Sequence, residues 1–246
     1  PRVYMTGDDF KRQKEQYNIN PEFKKLAESI IQKADNALKN DHFAYVYDDA
    51  MRMLNTGTAV WENFTLWGYA YNMTGDKKYL DRVVEELKIL DTFPDFNTSH
   101  IIDTGYFVSG LGIAYDWFYN GFTEEERELA KRLCFDKGLK TLASIHYGEI
   151  TSSSGGSQGW GSAKGGSNYN GMINGGIFNA AIAAMEIDPE YCADAIKNSI
   201  RSTEYILQNI MPGGGWSEGV FYWQYGLKLV MSSIMSLRNT FGTDYG

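Results

Sequence analysis

The feature that most constrains this chain is an alternation that recurs along it: a segment apolar on nearly every face, a turn, then an amphipathic segment. Residues 58–73 carry Val60, Trp61, Phe64, Leu66, Trp67, Tyr69 and Tyr71 almost all round a helical wheel. "TGD" follows, and 77–90 resumes a one-sided stripe. Residues 101–119 are again apolar and aromatic on most faces. "TEEE" at 123–126 then has the form of a capping box opening a charged helix with Leu129, Leu133, Leu139 and Leu142 inside. In the third round 171–185 is small and apolar, and in "DPEY" Asp188 can cap and Pro189 can take the first position of a helix running to about residue 210. Ahead of them all, 21–40 reads as an outer, half-wet helix. A helix apolar on all sides must be covered on all sides, so the pattern predicts an all-α protein of antiparallel hairpins, inner helix then outer helix, arranged as a barrel or arc.

Composition narrows what such an array can do. The 246 residues carry 43% hydrophobic and 15% aromatic content, enough for a sizeable core, and a net charge of −8. That charge argues against nucleic acid as a partner. No apolar run reaches the roughly 18 residues of a membrane span. Cys134 and Cys192 fall in helical segments without metal-ligand spacing, so they read as buried thiols, and neither a metal nor a cofactor is expected.

One stretch, 147–167, breaks the pattern with "YGEITSSSGGSQGWGSAKGGS". About twenty residues without periodicity are uncommon in a compact domain unless the loop has work to do. Trp160 and Lys164 supply an aromatic plate and a cation suited to a sugar groove, and the loop runs directly into "NYNGMINGG". There Asn168 or Ser167 can cap the next helix. Asn170 and Asn174, four residues apart, share a face near its N-terminus, where amide donors and the helix dipole favour an anion. Tight packing inside a helical array would use the same small and amide residues. Further on, "GGGWSEGVFYWQYG" places Trp216, Glu218, Tyr222, Trp223 and Tyr225 at another helix start, with the two tyrosines three apart and able to face one groove.

"PRVYMTGDDFKRQKEQ", "GLGIAYDWFYNGFTEEERELAKRLCFDKGL", "NYNGMINGG", "GGGWSEGVFYWQYG" and "FGTDYG", in that order, resemble the helical domain of the heparinase II/III-like polysaccharide lyases. The resemblance implies an incomplete α/α toroid over 1–246. It also implies a C-terminal β-sandwich domain beyond this stretch, a periplasmic or secreted location, and β-elimination at a uronic acid within an acidic polysaccharide. On that reading Asn170, supported by Asn168 or Asn174, neutralises the uronate carboxylate, and Tyr222 or Tyr225 acts as base, acid or both. Several members of the family place a histidine in the asparagine motif. Asn170 stands there in this chain, which leaves His100 in "NTSHIIDTGY" as the histidine for the cleft. Trp160, Lys164, Trp216, Glu218 and Trp223 would line the substrate groove. Two other readings fit the residues: a glycan-binding helical domain that stacks sugars on Trp160, Trp216 and Trp223, and an α/α-barrel glycoside hydrolase using Glu218 with Asp103 or Asp116, which needs carboxylates about 5 to 10 Å apart.

Overall fold

The computed structural model describes residues 1–148 and 162–244, and among them every regular element is helical. The helices are α1 (Gly7–Ile19), α2 (Pro21–Ala37), α3 (Leu54–Thr74), α4 (Lys77–Thr92), α5 (Ile101–Trp117), α6 (Glu124–Lys131), α7 (Lys140–His146), α8 (Asn168–Ala183), α9 (Pro189–Gln208) and α10 (Val220–Phe241). A π-helical segment, Arg132–Leu139, joins α6 to α7 without a break.

The two layers expected from the alternation are present. α3, α5, α8 and α10 pack side by side in that order, while α2 and α4 lie on α3 and α9 lies on α8. Every residue of α5 is buried, and so is every residue of α8 except Tyr169. By contrast α9 buries only a stripe that includes Cys192, Ala195, Ile196, Ser199, Ser202, Thr203 and Ile206, as an amphipathic outer helix must. The caps fall where the sequence puts them. Asp76 accepts the Lys78 amide, Thr123 and Glu126 form a reciprocal capping box, and Asp188 accepts the Tyr191 amide ahead of Pro189. Both cysteines are free and buried.

Glycine sets the spacing of the inner layer. A Cβ at Gly176 would stand 2.5 Å from the carbonyl oxygen of Gly105, and one at Gly171 would stand 2.0 Å from that of Gly226. At these crossings the backbones of α5, α8 and α10 touch, which no larger residue permits.

Consecutive inner helices run the same way, because each returns through an outer helix. Their N-terminal ends therefore gather at one end of the array, and hydrogen bonds between three pairs of residues tie that end together. The Met53 amide, just before α3, donates to Asp103 in the first turn of α5. His100 at the start of α5 meets Tyr169 of α8, and Asn168 meets Glu218, which precedes α10. At the far end a short strap, residues 2–6, closes the layer. Asp116 near the end of α5 accepts the backbone N–H groups of Arg2 and Val3 at 2.6 and 2.9 Å, and the Arg2 guanidinium donates to Glu186 beyond α8. The Tyr4 amide and carbonyl then bond Ser236 and Asn239 of α10.

Candidate functional site

The gathered N-terminal ends hold most of the chemistry-bearing residues singled out in the sequence. Asp103 lies at their centre and is fully buried. Its Oδ2 accepts from the Met53 amide at 2.6 Å and from the Asn97 side chain at 2.8 Å, and its Oδ1 faces Nδ1 of His100 at 2.8 Å. A buried carboxylate is tolerated only when its lone pairs are filled this way. Asn97 reaches it from a left-handed backbone position, φ 57°, a conformation in which asparagine is enriched. The loop that carries Asn97 is pinned by Lys137 of the π-helical segment, which donates to the carbonyls of Leu90, Asp91 and Phe93 and lies over the Phe96 ring. Burial holds the Lys137 ammonium below its ordinary pKa.

Through Nε2, His100 meets the hydroxyl of Tyr169 at 3.0 Å. Burial raises the pKa of that phenol, the Asp103 charge adding to the rise and Arg52 opposing it. Tyr225 approaches from α10. Its ring lies 6.2 Å from that of Tyr106 and 6.4 Å from that of Tyr222, and burial raises its pKa as well. Tyr222 and Trp223 are exposed beside Val220 and Phe221, so the start of α10 forms an aromatic rim. Arg52, exposed ahead of α3 and paired with Asp49, lies near enough for its charge to act on Tyr169.

Glu218 caps α8 from outside that helix. Its Oε2 accepts the Asn168 amide at 2.9 Å, its Oε1 accepts the Asn168 side chain at 2.8 Å, and Trp216 Nε1 donates to it at 3.1 Å. An acidic group at a helix N-terminus satisfies otherwise unpaired amides and complements the dipole. The structure thus brings His100, Asn168, Glu218, Tyr222, Trp223 and Tyr225 to one end of the molecule.

Three expectations are corrected. Asn170 and Asn174 do share a helical face, but that face packs on α9. Asn170 Nδ2 donates to the carbonyl and hydroxyl of Ser202, both at 3.1 Å, while Asn174 Nδ2 donates to Asn170 Oδ1 at 2.7 Å and to the Ser202 hydroxyl at 2.9 Å. Both side chains are fully buried and engaged in this network. Trp216 is no stacking plate either, since it is buried in a small core with Ile206, Leu227 and Val230. Of the acids considered for a hydrolase, Glu218 and Asp103 lie at the same end of the array, and Asp116 does not. Asp116 lies thirteen residues along α5 from Asp103, about 20 Å at ~1.5 Å per residue, and its carboxylate is taken by the strap.

Of the 147–167 loop, the described part runs beside the starts of α8 and the end of α9. The carbonyl of Ala163 accepts the Ser202 hydroxyl at 2.6 Å and that of Gly166 accepts the Asn209 side chain at 2.7 Å. Lys164 is exposed there, next to the N-terminal end of α8, while Trp160 lies outside the described residues. Sequence reasoning passed over Tyr169 and Asp103 as partners of His100. The signals were present: Asp103 stands at i+3 from His100, and Tyr169 sits between two asparagines at a helix start.

Among the described residues no cluster of three or more histidine, cysteine or acidic side chains is placed to hold a metal ion, and no helix is long and apolar enough to cross a membrane. Compared with models of known protein families and with curated proteins, the chain matches none of them.

Proposed function

We propose that the gathered end of the inner helices is the substrate face of a polysaccharide lyase that cleaves next to a uronic acid by β-elimination. The observation that carries the reading is the meeting of Tyr169, Tyr222 and Tyr225 around the buried His100–Asp103 pair, with an exposed arginine nearby. β-Elimination needs a group that removes the proton at C5, a group that protonates the departing O4, and a positive or hydrogen-bonding partner for the uronate carboxylate. Tyrosine hydroxyls serve the first two needs. With Asn170 committed to Ser202, the carboxylate partner falls to groups at the open end, foremost the exposed Arg52. The resemblance to the heparinase II/III-like lyases supports the same chemistry, with an α/α toroid, a further β-sandwich domain and a periplasmic or secreted location as its corollaries.

The test is incubation of the protein with a panel of sulfated and unsulfated uronic-acid polysaccharides, read by the ultraviolet absorbance of the unsaturated uronate. The expected result is an absorbance rise on at least one polymer, lost in a phenylalanine variant of one of the three tyrosines, Tyr169, Tyr222 or Tyr225. New reducing ends without the chromophore would mean hydrolysis and end the lyase reading. A second reading, a glycan-binding module, is favoured by the exposure of Val220 and Phe221 at 83% and 72% beside Tyr222 and Trp223. Binding of a polymer without any product would select it.

A further inference from the structure

Tyr169 is the one residue of α8 that is not buried, and its hydroxyl is held by the same histidine that Asp103 holds. A carboxylate can only accept, so Nδ1 of His100 carries the hydrogen of that 2.8 Å contact. In the neutral ring Nε2 then has a lone pair alone, and the Tyr169 hydroxyl must donate to it. The carboxylate cannot turn to release the ring, because its Oδ2 is engaged by the Met53 amide and the Asn97 side chain. The His100 and Tyr169 rings cross nearly at right angles, 83°, with the hydroxyl 3.0 Å from Nε2.

We propose that Tyr169 is a proton-transfer group of the open end, that His100 takes its phenolic proton, and that Asp103 is a positioning residue that fixes the imidazole tautomer. A phenol is protonated at neutral pH and burial raises the pKa of this one further, so a base in contact with it is required before it can act. The charged and titratable groups around it, besides His100, are Asp103 of α5, Arg52 ahead of α3, Glu218 just before α10, and Tyr222 and Tyr225 of α10. For its substrate the assignment rests on the lyase reading. The phenol proton passes to Nε2, and the phenolate removes the proton at C5. As C4=C5 forms, the C4–O4 bond breaks and the departing O4 takes the proton from the Tyr169 hydroxyl. Nε2 then returns its proton to the phenolate oxygen. One proton moves from C5 to O4 and the protein ends as it began.

The experiment has two arms. In the first, nitrogen NMR of the full chain labelled at histidine reports which ring nitrogen of His100 carries hydrogen at neutral pH, with no substrate present. The expected form is Nδ1–H in the parent and in Tyr169→Phe, changing to Nε2–H in Asp103→Asn. A parent protein with His100 in the Nε2–H form overturns the proposal, and so does an Asp103→Asn protein that folds and keeps Nδ1–H. In the second arm, on a uronan that the parent cleaves, Tyr169→Phe should lower kcat by about 100-fold or more with a much smaller change in KM, and His100→Gln should remove a limb of the pH profile. Tyr169→Phe turning over at the parental rate overturns the proposal while the lyase reading stands. Failure of the parent to cleave any uronan removes the lyase reading, and the tautomer arm still decides the relay.

Discussion

Replacing Gly171 by alanine tests whether the α8–α10 crossing positions the site. The added Cβ would stand 2.0 Å from the Gly226 carbonyl oxygen and 2.9 Å from Cδ1 of Ile206. Carbon and carbonyl oxygen rest at about 3.3 Å or more, so the two backbones must part by roughly 1.3 Å or remain strained. Parting them by even two-thirds of that carries the Asn168–Glu218 bonds, now 2.8 and 2.9 Å, beyond hydrogen-bonding range. Each bond to the carboxylate is worth about 1.5–3 kcal/mol, and staying strained costs about 1–3 kcal/mol. Alanine in a helix returns about 1 kcal/mol against glycine. Strain alone then leaves a net loss of up to about 2 kcal/mol, and losing both bonds instead leaves about 2–5 kcal/mol. Urea unfolding followed by tryptophan fluorescence measures it, and Trp216 reports the Glu218 end directly because its Nε1 donates to that carboxylate. Gly7→Ala in α1 is the control. No atom lies within 4 Å of its added Cβ, and a gain of about 0.4–1 kcal/mol is expected there. If Gly171→Ala gains stability as Gly7→Ala does, the close-crossing argument is wrong.

Asn170→Ala should cost about 2–4 kcal/mol in thermal or urea unfolding, because it leaves the Asn174 amide without the Oδ1 acceptor and removes two bonds to Ser202. Unchanged stability together with lost polysaccharide binding would return Asn170 to the substrate. The strap gives a pH prediction. The Arg2 guanidinium bonded to Glu186 holds that carboxyl below its ordinary value of 4.5. A depressed carboxyl stabilises the fold above its unfolded value and loses that contribution as pH falls through the folded one. Parent and Glu186→Gln should therefore differ at neutral pH, by under about 1 kcal/mol for so exposed a pair, and converge in acid. A difference that persists at low pH would contradict the linkage.

The hairpin alternation was legible because burial on all sides leaves no polar stripe. Ile101–Trp117 has none, and Pro189–Gln208 plainly has one. Helix starts were legible where a side chain does the capping, as at Asp76, Thr123 and Asp188. α1 was not read, since its only buried residue is Phe10 and a single apolar side chain makes no period. Its capping box, Thr6 with Asp9, was the available signal. The π-helical segment escaped because it keeps Leu133 and Leu139 buried, as an ordinary helix would. In the site, the spacing of Asn170 and Asn174 gave their common face but not its direction. That direction depends on Ser202, a residue thirty-two positions from Asn170, and on α9 covering α8. One residue earlier the helix turns by about 100°, and Tyr169 reaches the open end instead.

The strap at the far end also governs how this chain can be made. Residues 2–6 leave the ribosome well before their partners Asp116, Glu186, Ser236 and Asn239, the last two more than 230 positions away. At about 5–20 residues per second, the first segment waits on the order of ten to fifty seconds for the helix it must bind. The inner layer therefore has to form from local hairpins alone, α3 with α4 and then α5 onward, with its far end open. Only after α10 emerges can the Tyr4 amide find Ser236, so closure of that end is the late, non-local step of folding.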